Sequence, residues 1–162
     1  MENKKITIKN YQKHAMKTCL PSAKNWDYAT HNYRAELFEL LAKVESFYAK
    51  QIRDGDDFDK VKYLDKIKDE IGDCCWQLAL ICELRNEQFK CNYEYKRYHK
   101  LYDLVVSMDF ESCIDDVWYE FGRINLIIRM FRFDINEILQ RNINKLASRA
   151  ERGVLKGSGD ER

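Results

Sequence analysis

At 162 residues the chain is the length of one domain and can bury a hydrophobic core. Its 28 basic and 27 acidic side chains nearly cancel, which argues against a surface built for nucleic acid or lipid headgroups. No apolar run approaches the roughly 20 residues that span a bilayer, and Met1-Glu2-Asn3-Lys4-Lys5 does not open a signal peptide. The expectation is a soluble cytoplasmic protein with no nucleic-acid or membrane partner.

Helix formers dominate in chain order. A short helix is predicted over about 8–18. Pro21, the only proline, breaks it within Cys19-Leu20-Pro21-Ser22-Ala23-Lys24-Asn25. Ser22 or Asn25 then caps a long helix that runs to about Arg53 and stops at Asp54-Gly55-Asp56-Asp57. A second long helix runs from about Asp59 to Asn86, with Gly72 inside it. A mid-helix glycine costs about 1 kcal/mol relative to alanine and marks a place where a backbone or ligand can come close. Two further helices are predicted over about 93–107 and 110–130. The aromatics Tyr93, Tyr95, Tyr98, Tyr102, Phe110, Trp118, Tyr119 and Phe121 there read as core or subunit interface, with base stacking as the alternative. A last helix begins at the cap Asp134 and ends near Arg152-Gly153. No strand is expected, and the fold class is all-α.

Cys19, Cys74, Cys75, Cys82, Cys91 and Cys113 contain no C-x-x-C pair and no neighbouring histidine, so neither a disulfide framework nor a zinc site is expected. Cys74, Cys75 and Cys82 read as small core residues.

The chemistry lies in two acidic pairs, Glu36-x-x-Glu39 and Glu70-x-x-Asp73. Residues three apart share one helix face. On the first long helix Leu37, Leu40, Leu41, Val44 and Tyr48 form the apolar stripe, and Glu36, Glu39 and Lys43 run along its edge. On the second, Leu64, Ile67, Ile71, Cys74, Leu78 and Cys82 form the stripe, edged by Glu70, Asp73 and Gln77. Four carboxylates on two antiparallel helices suit a hard cation, Mg²⁺ or Mn²⁺. The plainer alternative is a polar edge on a helical interaction protein. A di-iron bundle is not expected, because no Glu-x-x-His motif occurs. In the last helix Lys145, Arg149 and Arg152 fall near one face, ahead of the glycines at 153, 157 and 159. Such an array suits phosphate oxygens.

These features together resemble the MazG-like all-α nucleoside triphosphate pyrophosphohydrolases of phages and bacteria. Glu36-Leu-Phe-Glu39-Leu-Leu-Ala-Lys43 matches the family's first acidic motif and Asp69-Glu70-Ile-Gly-Asp73-Cys-Cys-Trp76 the second. Asn142-x-x-Lys145-Leu146-x-x-Arg149-x-x-Arg152-Gly153, followed by Gly157-x-Gly159-Asp160, matches the ending, and Thr18-Cys-Leu-Pro21-Ser resembles the lead-in. Three departures stand out. Phe38 replaces a glycine common between the first two glutamates. The spacer from Glu39 to Glu70 is long, its excess expected in a loop over Asp54–Asp65. The aromatic stretch 88–130 reads as a helical insertion.

The resemblance implies a four-helix-bundle-type fold, assembled as a dimer or tetramer, that hydrolyses a (deoxy)nucleoside triphosphate to monophosphate and pyrophosphate. Glu36, Glu39, Glu70 and Asp73 would hold Mg²⁺, or Mn²⁺, and carry catalysis. One carboxylate left free of metal, Glu39 being one candidate, would be the general base. Asn142, Lys145, Arg149 and Arg152 would bind the substrate's phosphates. Lys43 and Lys66 read as ion pairs with the acidic rows, and Trp76 as core packing with base stacking as the alternative. The other functional reading is a non-catalytic helical interaction protein with a degenerate nucleotide site.

Overall fold

The computed structural model describes residues 5–90, 114 and 117–155. Among them there are five α-helices and no strand: α1 (Ile8–Ala15), α2 (Trp26–Asp54), α3 (Lys60–Leu84), α4 (Val117–Met130) and α5 (Ile135–Glu151). No helix among the described residues is long and apolar enough to cross a membrane. The helix predicted over 93–107 lies outside the described residues, as do Cys91, Cys113, Tyr93, Tyr95, Tyr98, Tyr102 and Phe110.

Local chemistry sets the helix starts. The Asn25 side chain accepts from the Tyr28 N–H, that of Asp59 from Lys62, and that of Asp134 from Asn136. Each supplies an oxygen to a backbone donor that the first helical turn leaves unpaired. At the far end of α5, Gly153 takes φ +71, and Val154 N–H donates back to the Arg149 carbonyl at 3.0 Å. This is a Schellman ending, whose left-handed position favours glycine. Only residues 55–59 connect α2 to α3, so the long spacer is absorbed as helix and not as the expected loop over 54–65.

The central element is α3, which touches each of the other four helices. A one-sided stripe was expected of it. Instead its second half is buried nearly all round, through Cys74, Cys75, Gln77, Leu78, Ala79, Leu80, Ile81 and Cys82. The run Leu78-Ala79-Leu80-Ile81-Cys82 allows this, since a helix apolar on every side belongs in the interior. From α2, Leu37, Leu40, Leu41 and Val44 face it as the stripe predicts. Tyr48 is 37 % exposed, with its ring stacked beside Phe131. Residues 117–130 are a full member of the core and not an appendage. Phe121, Ile124 and Ile127 of α4 are buried, while Trp118 is exposed.

α5 lies against α3 at Gly72. A Cβ on Gly72 would meet Asn142 Cβ at 2.9 Å and its Nδ2 at 3.1 Å. The glycine is therefore a close-approach residue, as its position inside a helix suggested. Gly72→Ala should push α5 outward and destabilise the fold by about 1–3 kcal/mol, more than helix propensity alone would offset. Thermal unfolding of the variant measures this.

Candidate functional site: a carboxylate cluster faced by lysine

Because α2 and α3 run antiparallel, the Glu36 level of α2 lies opposite Glu70 and Asp73 of α3. Glu36, Glu70 and Asp73 each offer a carboxylate oxygen, and these lie within 4.8 Å of one another. Glu70 is only 5 % exposed. Glu39, expected as the fourth member, is exposed and stands outside this set. Three residues along α2 is about 60° around the helix, and that step carries Glu39 out beside the exposed Phe38.

Two lysines face the cluster. Lys43 Nζ stands 3.7 Å from Glu70 Oε1. Lys145 Nζ, from α5, donates to both oxygens of Asp73, at 2.7 and 2.6 Å. Asn142, one turn earlier on α5, donates from Nδ2 to Asp73 Oδ1 at 2.9 Å. The Asn142 amide is held from behind, since the buried Tyr11 hydroxyl of α1 donates to its Oδ1 at 2.8 Å. That hydroxyl also lies 3.4 Å from the Gly72 carbonyl oxygen.

Of the remaining predicted residues, Arg149 is close enough for its charge to favour the ionised form of Asp73. Arg152 is exposed, with Nε donating to the Ser148 carbonyl of its own helix. Lys66 makes no pair with the acidic rows and stands over the Tyr63 ring at 5.7 Å. Trp76 donates from Nε1 to the Ala15 carbonyl at 3.3 Å, which fixes it between α3 and α1.

The sequence did not point to Tyr11 or Arg141. Arg141 clamps Asp69 through two bonds of 2.7 and 3.1 Å and reaches Asp65 at 3.2 Å, tying α5 to α3 one residue before Asn142. The only sequence signal for Tyr11 was a tyrosine on the apolar side of a short helix, whose hydroxyl needs a partner when buried. Gln77 continues the acidic row one turn past Asp73 and is 4 % exposed. Its Oε1, like Asn125 Oδ1 on α4, has no hydrogen-bond partner among the described residues.

No protein-family model, curated protein or solved structure matches the chain.

Burial and crowding shift the titration of the cluster. Burial, then the carboxylates of Asp73, Glu39 and Glu70, push Glu36 up to about 8, while Lys145 opposes the rise. Burial also raises Asp73, against Lys145 and Arg149. Glu36 is thus protonated in the folded chain at pH values where the unfolded chain has released the proton. The folded state binds the extra proton, so this group's contribution is full below the unfolded value of 4.5 and is lost as pH rises through about 8. In chelator, thermal stability should fall across that window through this group. Glu36→Gln should flatten the slope, as thermal melts of the two proteins between pH 5 and 8.5 would show.

Proposed function

We propose that the protein is a divalent-cation-dependent hydrolase of (deoxy)nucleoside triphosphates, releasing pyrophosphate and the monophosphate. The observation that carries this reading is the convergence of Glu36, Glu70 and Asp73 within 4.8 Å, faced by Asn142 and Lys145 on Asp73. The donor set fits Mg²⁺ or Mn²⁺, since hard cations take carboxylate oxygens. It holds no thiol or imidazole that would favour zinc. Burial and the neighbouring carboxylates together raise Glu36, as crowding of acidic groups in one place does. Such an ion, when bound, polarises phosphoryl oxygens and lowers the pKa of coordinated water.

The remaining roles fall to the chain's own residues. Glu36, Glu70 and Asp73 are the metal ligands. Glu39, exposed at the rim, is left free of the cluster and remains the candidate general base for the attacking water. Lys145 and Arg149 present their donors from α5, on the side where the phosphates would lie, whereas the buried Asn142, expected among the phosphate binders, holds Asp73 in place. Positive charge there offsets the charge that develops on the departing pyrophosphate. Arg152, at the end of α5, reaches phosphate only by leaving the Ser148 carbonyl. Assembly into a dimer or tetramer belongs to the same reading.

Pyrophosphate release from a panel of the canonical dNTPs and NTPs with Mg²⁺ tests the proposal. Wild type should turn over at least one of them. Glu70→Gln, which keeps the shape but removes the buried charge, should lower turnover by about 100-fold or more, the scale of removing one electrostatic stabiliser. Absence of turnover with every nucleotide, together with absence of metal binding, would make the cluster structural.

A further inference from the structure

Asp73 already has a cation from within the chain. Lys145 Nζ spans both of its oxygens at 2.6 and 2.7 Å, and the same charge acts on Glu36. Asp73 Oδ1 additionally takes the Asn142 amide at 2.9 Å, so most of its acceptor capacity is in use. The two α5 donors differ in their freedom to leave. Asn142 is buried, fixed from behind by the Tyr11 hydroxyl at 2.8 Å, and pressed on the Gly72 backbone. Lys145 is partly exposed, with 22 % of its side chain open, and among the described residues only Asp73 holds its ammonium. It sits on a flexible four-carbon stem.

We propose that Lys145 is a built-in counter-ion that a divalent cation must displace from Asp73, and that the displaced ammonium then serves the substrate's phosphates. This rests on the metal-site reading above. Once a doubly charged ion takes Asp73, the ammonium is repelled from it. An anion arriving on the α5 side gives it a new partner, so cation and phosphate favour each other's binding through one side chain. Asn142 stays on Asp73 throughout and keeps that carboxylate aimed while Lys145 moves.

The test is metal affinity alone, without nucleotide. Mn²⁺ binding to the full chain is followed by the loss of the free-ion electron paramagnetic resonance signal. Lys145→Met removes the competing charge while keeping the stem, and should bind Mn²⁺ about tenfold more tightly than wild type. Lys145→Arg keeps a competing cation and should not show the gain. Adding inorganic phosphate should tighten Mn²⁺ binding in wild type but not in Lys145→Met. Should Lys145→Met lose its helical circular dichroism, Lys145→Gln takes its place, with the same gain expected. Unchanged or weaker Mn²⁺ binding in the neutral variants, with wild type binding measurably, overturns the exchange and leaves the metal site standing. No Mn²⁺ binding in any of the proteins overturns both.

Discussion

Three carboxylates held within 4.8 Å in a partly buried place are the constraint around which this fold is arranged. At such separations two like charges repel by roughly 3–4 kcal/mol even at an effective dielectric of about 20. The chain meets that repulsion in three ways at once. It retains a proton on Glu36 up to about pH 8. It brings Lys43 to Glu70 from within α2. It spends the last helix on Asp73, through Lys145 and Asn142. The placement of α5 follows from the third of these, because Asn142 can reach Asp73 only where α3 has no side chain at position 72. Tyr11 extends the same logic to α1, whose hydroxyl completes the Asn142 amide.

Helices, caps and core stripes were legible because they are local. Asn25 and Asp134 act at the ends where their side-chain chemistry placed them, and Leu37, Leu40, Ile67, Ile71 and Leu78 are buried as their spacing requires. Gly72 was legible as a close approach, because glycine inside an otherwise regular helix has few other uses. What approaches it was not, since Asn142 lies 70 positions further along the chain. Separations of 72 and 131 positions likewise hid Arg141 on Asp69 and Tyr11 on Asn142. No spacing rule connects residues brought together only by tertiary packing.

Glu39 shows the opposite error. Its spacing from Glu36 repeats that of Asp73 from Glu70, yet only Glu36 turns inward. The two helices are not equivalent in the structure. α3 is enclosed by four neighbours, so both of its acidic residues face another helix, whereas α2 borders solvent and its edge positions diverge within one turn. A helix wheel treats the edges of two stripes alike, and the difference arises only when the number of neighbours around each helix is known.

Burial separates a polar edge from a site. An acidic edge on an interaction helix keeps its carboxylates in water, where an ion pair is worth little. Glu70 is 5 % exposed, with Lys43 Nζ 3.7 Å from its Oε1. Burying a carboxylate is expensive even when it is paired, and an apolar residue at position 70 would suit the interior of α3 better. Gln77, one turn past Asp73 on the same helix, repeats the pattern with a buried carbonyl oxygen that the described residues leave unpartnered. A row of oxygens kept inside a helical core costs stability that an apolar row would not, so it is burial, and not the spacing of the acidic pairs, that sets this row apart from an ordinary polar edge.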